Sequence, residues 1–157
     1  MLWKAAAILT VLAILAYLFL PRGSTSSVKN GVHGSLSAAI SGLLHSARPD
    51  AFLVVQIRGT DDFLQFTAVP GSVQLDFPLV TERQRKLRTT VEEVCATLGL
   101  ARKVNKGTDG SEFLDYDLSG SPESITSIIR QVLDGVFGAS ADEHLVFHIE
   151  GYSLDDA

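Results

Sequence analysis

Two histidines and two aspartates near the C-terminus have the residue types and the short spacings from which catalytic and metal sites are built. His144 and His148 form an H-x-x-x-H pattern, which binds zinc when it lies on a helix. The residues between them are Leu-Val-Phe, which favours a strand, and four strand residues span about 13 Å. Two imidazole rings that far apart do not share one ion comfortably. The pattern therefore predicts two solvent-facing histidines rather than a metal site.

Asp115 and Asp117 alternate along a predicted strand, so they lie on one face of it, about 7 Å apart. Two carboxyl groups at such a separation carry out acid–base chemistry in some hydrolases. The sequence places no basic or nucleophilic partner at a motif spacing from them, and it contains no G-x-S-x-G. A solvated strand face is the favoured interpretation. A hydrolase that uses Asp115 or Asp117 near a histidine stays open as the alternative.

The remaining candidates for chemistry are a glycine-containing loop and a single cysteine. Residues 106–111, KGTDGS, lack the G-x-x-x-x-G-K-[ST] order of a phosphate-binding loop. Cys95 lies on the apolar stripe of a predicted helix, which predicts a buried structural thiol. One cysteine excludes an internal disulfide and a multi-cysteine metal site. We therefore predict no catalytic residue, no cofactor and no metal.

Basic residues cluster at the start of a predicted helix. They spread over about half of its surface, away from the apolar stripe that contains Leu87, as on an ordinary solvated face. The functional alternative is an electrostatic dock for anionic lipid or an acidic partner, worth about 1 kcal/mol per residue near a charged leaflet. The formal net charge of the chain is −5, which disfavours nucleic acid as the partner. The candidate docking residues are Arg83, Arg85, Lys86 and Arg88.

The elements that position these residues follow from apolar periodicity and turn residues. Three helices begin at the capping residues Ser35, Thr81 and Ser121. The first of five strands is apolar on both faces, which predicts a central strand, and short links join it to the next two in an antiparallel meander. Residues 101–111 are polar and are predicted to form a loop. The predicted strands are 51–58, 63–69, 72–79, 112–118 and 144–150.

This order, α-β-β-β-α-β-α-β, predicts an α+β domain with a mainly antiparallel five-stranded sheet. An apolar N-terminal segment precedes it, and its residues 5–20 carry no charge. A helix of about 20 apolar residues crosses a membrane. The bulky side chains before Pro21 favour a retained anchor over a cleaved signal peptide. The residues assigned to the anchor are Leu2, Trp3, Lys4, Leu9, Leu12, Leu15, Tyr17 and Leu20.

The sequence accordingly predicts a single-pass membrane protein in four parts. The basic residues on the two sides of the apolar segment nearly balance, Lys4 against Arg22 and Lys29, so the side of the membrane on which the domain lies stays open. The four parts are an anchor at 1–21, a flexible tether at 22–33, the α+β domain at 34–152 and an acidic tail at 153–157.

Several features of the domain occur together in a known group of proteins. They are the strand Phe63-Leu64-Gln65-Phe66, a helix that ends at Leu98-Gly99, a strand containing Phe113 and Asp115, and a helix that ends at Val136-Phe137-Gly138 before Leu145. On these features residues 51–152 resemble the bacterial TY-Chap and YbjN-like families, small α+β domains akin to type III secretion chaperones. The resemblance implies a binding module that pairs through its sheet or helices, a homodimer being one such pairing, with no catalytic residues to carry over.

Together these observations predict a membrane-anchored, non-catalytic binding module, chaperone-like or adaptor-like, that engages a protein partner near the membrane surface. Two alternatives stay open. One is a membrane-tethered hydrolase that uses Asp115 and Asp117, and the other is a passive structural component of an envelope complex.

Overall fold

A computed structural model describes residues 35–46, 48, 51–106, 111–139 and 141–152 of the chain. Within these ranges three helices and six strands form an α+β domain, and the fold class and the three helices are as the sequence predicts. A 3-10 helix, Asp142–His144, precedes the last strand. The elements are α1 (Leu36–His45), β1 (Phe52–Ile57), β2 (Phe63–Val69), β3 (Ser72–Pro78), α2 (Glu82–Thr97), β4 (Arg102–Lys106), β5 (Glu112–Leu118), α3 (Pro122–Phe137) and β6 (Leu145–Glu150).

Each helix begins at the residue that its sequence predicts, because a side-chain oxygen there accepts a hydrogen bond from a backbone N–H of the first turn. Ser35 caps α1 and Ser121 caps α3. Thr81 caps α2 within a capping box, in which the Gln84 side chain accepts from the Thr81 backbone N–H at 3.0 Å. Gly138 ends α3 with a φ of 67°, a left-handed conformation that glycine adopts without strain.

The sheet is open and antiparallel at every pairing, in the order β4-β5-β3-β2-β1-β6. Strands β1, β2 and β3 form the predicted meander. Alternate residues of the strands pack with α1, α2 and α3 in one core, so the three helices lie on the same face of the sheet. The core-facing strand residues include Leu53, Val55, Leu64, Phe66, Leu75, Phe77, Leu114 and Phe147.

The predicted count of five strands is wrong, because β4 lies within the predicted loop 101–111. Among the described strands it pairs with β5 alone, at one end of the strand order. A strand at an edge is held by its backbone hydrogen bonds and does not need the apolar alternation that the prediction relied on. Ion pairs join its charged side chains to the neighbouring elements: Lys103 to Asp117 on β5, and Arg102 to Glu92 on α2.

The prediction of a transmembrane helix is also corrected. Among the helices of the described residues none is long and apolar enough to cross a membrane. The longest, α2 and α3, have 16 residues each, whereas a span takes about 20 apolar ones. The predicted single-pass localisation is corrected on this finding, whereas the bilayer as a partner stays a prediction. The anchor residues from Leu2 to Leu20, the tether and the tail lie outside the described ranges.

The core between the sheet and the helices contains one polar atom without a good partner. Tyr116 on β5 is among the largest fully buried side chains, and its hydroxyl has no hydrogen-bond partner within the ranges that the structure describes. The Cys95 thiol on α2 interacts with this hydroxyl, but a thiol is at most a weak hydrogen-bond partner. Cys95 is buried, as predicted, and burial raises the pKa of its thiol to about 11, so the thiol is unreactive at neutral pH.

We expect Tyr116→Phe to raise the free energy of unfolding by about 1 kcal/mol, because it removes a buried hydroxyl whose desolvation is poorly compensated. Urea unfolding followed by circular dichroism measures the change. Tyr152→Phe is the matched control. Its hydroxyl donates to the Ala39 carbonyl oxygen at 2.9 Å, so losing it should destabilise by about 1 kcal/mol. A loss of stability in Tyr116→Phe as large as in the control would contradict the prediction.

Candidate functional site

The sheet face opposite the three helices, which we call the helix-free face, carries a second apolar group. Its members come from β1, β2 and β5, and their exposed fractions are very low: Phe52 7%, Val54 0%, Phe63 3% and Phe113 7%. They alternate along their strands with the residues that face the helices, as the two-residue period of a strand requires. None of the described helices packs on this face, so we take its large, almost fully buried apolar side chains as the candidate binding surface.

A row of mainly polar side chains crosses the same face and shares Val54 with this group. Antiparallel pairing places one residue of each strand in the row, because directly opposed residues share a face. Gln65 and Asp115 in the row are almost fully buried, both 5% exposed. From β4 to β6 the row reads Lys103, Asp115, Asp76, Gln65, Val54 and His148.

Two carboxyl groups are direct neighbours in this row. Asp76 on β3 lies opposite Asp115 on β5, and their side chains hydrogen-bond to each other. Asp76 also accepts from Gln74 and from the Thr67 hydroxyl, the latter at 2.8 Å. Burial, and then the charge of Asp115, raise the pKa of Asp76 to about 7, although the bonds from Gln74 and Thr67 act in the other direction. Two shielded carboxyl groups in contact do not ionise together easily, so the pair holds one proton below neutral pH.

Asp115 and Asp117, which the sequence predicts as a pair on one strand face, lie in different environments in the structure. Asp117 is exposed and forms an ion pair with Lys103 on β4, whereas Asp115 is buried against Asp76. Sequence reasoning missed Asp76 as a partner, although its strand was predicted and its alternation with apolar neighbours was clear. The missing information was the pairing of β3 with β5, two strands separated in the chain by α2 and β4.

The two histidines do not meet the carboxyl pair. His144 is exposed at the end of the 3-10 helix. His148 is half-buried on β6, its Nε2 lies 3.0 Å from Gln56 Oε1, and burial lowers its pKa. In the row His148 stands three strands from Asp76, about 14 Å away. In the part of the chain that the structure describes, no three His, Cys, Asp or Glu side chains are grouped so as to hold a metal ion.

The candidate docking residues at the start of α2 are engaged within the domain. Arg83 binds the buried Asp62 carboxylate through two bonds of 2.6 Å each. Arg85 donates to the carbonyl oxygens of Leu79 and Val80 at 3.2 and 2.7 Å, and so ties α2 to the end of β3. These contacts compensate part of the positive charge, although the Arg83 side chain is 69% exposed.

Lys86 and Arg88 are paired as well. Lys86 meets Glu82 one turn earlier at 2.8 Å, on the exposed helix surface, where such a pair contributes little. Arg88 bridges Glu92 on its own helix and Glu112 on β5 at 3.1 and 2.7 Å. Arg83, Arg85 and Arg88 therefore have a structural role in attaching α2 to the rest of the domain, whereas Lys86 pairs within its own helix. A role of the four basic residues in docking a partner stays a prediction.

Comparison with known proteins adds no homologue from which a site could be transferred. No family model, no curated protein and no solved structure matches this chain. The resemblance to the TY-Chap and YbjN-like families therefore stays a prediction from the residues quoted for it. The functional argument depends on the helix-free face, with its apolar group from β1, β2 and β5 and its Asp76–Asp115 pair.

Proposed function

We propose that this chain is a non-catalytic binding module and that its helix-free face receives an apolar segment of a protein partner. The observation that carries the proposal is the apolar group Phe52, Val54, Phe63 and Phe113, which is withdrawn from water on the face that carries none of the described helices. These four side chains have little surface left to bury, so a partner gains about 25 cal/mol per Å² from the partly exposed apolar surface around them, such as Val146. An apolar stripe on the partner is therefore the main requirement for binding.

The polar side chains of the face define the partner further. Asp76, Asp115 and Asp117 place acidic groups on the β3–β5 side of the face, beside the apolar group. Asp117 is exposed and its charge reaches solvent, although Lys103 compensates it in part. A segment with basic residues next to its apolar stripe therefore complements the face better than an acidic one, because opposite potentials favour the correct register.

Site-specific photo-crosslinking tests this proposal with the full chain. A benzophenone amino acid replaces Val146, which is half-buried on the helix-free face, or Ser127, which is exposed on α3 on the other side of the sheet. The probe is a labelled peptide with leucine on one helical face and lysine on the other. We expect about tenfold more adduct from position 146 than from position 127, since a groove selects an apolar stripe.

The control peptide has the same composition with leucine and lysine interspersed, so that it lacks the stripe. It should give no preference between the two positions. Equal adduct from positions 146 and 127 with the striped peptide, or no adduct from either, would rule out the helix-free face as the binding surface.

A second candidate function is acid–base catalysis, which the Asp76–Asp115 pair favours. A carboxyl pKa of about 7 for Asp76 suits a general acid or base at neutral pH. Chromogenic ester, phosphoester and glycoside substrates test it. We expect Asp115→Asn to lower turnover at least about 100-fold, with Asp117→Asn as the control that leaves it unchanged. No turnover by the natural chain, or equal losses in both variants, would contradict catalysis.

A further inference from the structure

The two end strands of the sheet differ in the chemistry of their side chains. The strand order places β4 at one end and β6 at the other. Charged residues, lysine above all, and prolines keep an edge strand from pairing with another chain. β4 begins with Arg102 and Lys103, whereas β6, LVFHIE, contains no lysine, arginine or proline. By this criterion β6 is the edge that can accept a further strand.

Alternate backbone groups of β6 point away from the sheet. The Arg58 backbone N–H donates to the His144 carbonyl oxygen at 2.8 Å, in register with the pairing of β1 and β6. Hydrogen-bonded and non-hydrogen-bonded pairs alternate along an antiparallel ladder, so the even-numbered residues of β6 direct their N–H and C=O groups to β1. Those of Leu145, Phe147 and Ile149 point to the outer side, where none of the described strands pairs with them.

The sequence of β6 complements itself in antiparallel orientation. When two copies pair with Phe147 on a two-fold axis, Leu145 of one copy lies opposite Ile149 of the other. The outward N–H and C=O groups of these three residues then bond across the axis, as in the hydrogen-bonded pairs of any antiparallel ladder. The three side chains lie on the side of the sheet that carries the helices, so apolar groups meet apolar groups there.

The other side of the paired strands has complementary polar groups. In the same register His144 of one copy lies opposite Glu150 of the other, at both ends of the pairing. Both side chains are exposed, and within the described residues no hydrogen bond or ion pair engages either of them. An imidazole N–H donates to a carboxylate whether or not the ring is charged. A second copy of this chain therefore supplies a partner for each of these two groups.

The ends of β6 favour this register over its neighbours. A 3-10 helix ends at His144, and Gly151 follows the strand with a φ of 87°, so the extended backbone stops on both sides. An axis one residue earlier would draw the 3-10 helix into the pairing, and an axis one residue later would draw in Gly151. Both would separate His144 from Glu150. An axis between two residues would set side chains of opposite faces against each other.

We propose that β6 is a homodimer interface, in which it pairs antiparallel with β6 of a second copy about a two-fold axis at Phe147. The pairing is isologous, because the same surface serves in both copies. It joins the two six-stranded sheets into one continuous sheet, with both helix-free faces on the same side. The inference goes beyond the proposed function, since it uses the edge of the sheet and leaves the helix-free face available.

Disulfide formation in the full chain tests the register. His144→Cys is combined with Glu150→Cys, and each single variant is a matched control. Across the axis these two positions form a non-hydrogen-bonded pair with Cα atoms about 4.5 Å apart, within the range of a disulfide. Within one copy they are about 20 Å apart, so an internal disulfide does not compete. The native Cys95 is buried.

After mild oxidation we expect about tenfold more covalent dimer from the double variant than from either single one, because only the double variant brings two thiols within bonding distance. In a single variant the two identical positions lie about 20 Å apart across the axis. Equal amounts of covalent dimer in the double and single variants, or none in the double variant, would overturn the proposal.

Exchange of the charges tests the interface without a covalent bond. His144→Glu sets two carboxylates opposite each other, and Glu150→Lys removes the acceptor for the imidazole. Sedimentation velocity over a concentration series should show each single variant raising the dimer dissociation constant about tenfold. The two changes together restore opposite charges and should return it to about the natural value. Glu93→Lys, the same charge change at an exposed position of α2, should leave it unchanged.

The possible outcomes separate this interface from other modes of association. A natural chain that stays monomeric at its highest soluble concentration would overturn the proposal. A dimer that is equally stable in both single variants, or that the double variant does not restore, would place the contact elsewhere on the chain and would overturn it too. Neither readout involves the leucine–lysine peptide, so failure of the proposed function would leave both of these measurements decisive.

Discussion

Raising the pH from about 5 to about 8 should lower the free energy of unfolding by about 2–3 kcal/mol through Asp76 alone. The pKa of this carboxyl is raised from 3.8 to about 7 in the folded chain. Between these two values the folded chain holds a proton that the unfolded chain has released. Stability from this group is therefore complete below about pH 4 and is lost as the pH rises through about 7.

Asp76→Asn isolates this contribution, because it keeps the shape of the side chain and removes the titration. Urea unfolding at about pH 5 and about pH 8 should show a smaller dependence on pH in the variant than in the natural chain, by the same 2–3 kcal/mol. His148 acts in the opposite direction, since burial lowers its pKa and the unfolded chain therefore binds the proton more readily. Both the natural chain and Asp76→Asn contain His148, so its contribution to the pH dependence cancels when the two are compared.

The carbon chemical shift of the Asp76 carboxyl group measures its pKa directly. A titration midpoint near 4, or an unfolding free energy that varies with pH equally in Asp76→Asn and in the natural chain, would contradict the assignment of a shared proton to Asp76 and Asp115. Asp117→Asn serves as the control for a carboxyl on the same strand, because Asp117 is exposed and paired with Lys103.

Gly151→Ala should destabilise the domain by about 3 kcal/mol, because two costs combine. Gly151 follows β6 with a φ of 87°, and a side chain in such a conformation costs about 1–2 kcal/mol. An added Cβ would also lie 2.8 Å from Ala51 Cα and 3.0 Å from Ala51 Cβ. Overpacking against another backbone costs about 1–3 kcal/mol. Ala51 directly precedes β1, so relieving the contact disturbs the β1–β6 pairing.

Gly138→Ala is the matched control for this experiment. Gly138 has a φ of 67°, yet nothing lies within 4 Å of an added Cβ. Only the conformational cost applies there, so we expect a loss of about 1 kcal/mol. Urea unfolding of the two variants measures the difference. Equal losses would show that the contact with Ala51 is relieved at no cost, against the prediction.

The helix starts could be predicted because the interactions that fix them are local. A capping hydroxyl at Ser35, Thr81 or Ser121 bonds a backbone N–H three residues ahead, so the whole motif is visible in the sequence. The meander of β1, β2 and β3 is also determined locally, because strands joined by short links pair with each other in antiparallel orientation. The α+β class follows from these elements together.

The edge strand β4 could not be predicted, because the interactions that hold it join distant parts of the chain. Its backbone pairs with β5, and Arg102 reaches Glu92 on α2. Neither contact leaves a periodic pattern in residues 101–111. The transmembrane prediction relied on the composition of the N-terminal segment alone, and among the described helices none is long and apolar enough to cross a membrane.

The candidate site depended most on tertiary structure. The sequence by itself determined that β3 and β5 alternate apolar and polar residues, and that each therefore has one polar face carrying aspartates. Only the strand order placed β5 beside β3 and brought Asp115 against Asp76. The raised pKa of Asp76 follows first from burial and then from that contact with Asp115. The alternation of apolar and polar residues can be seen in one strand alone. Which strands pair depends on the free energy of the whole sheet and core.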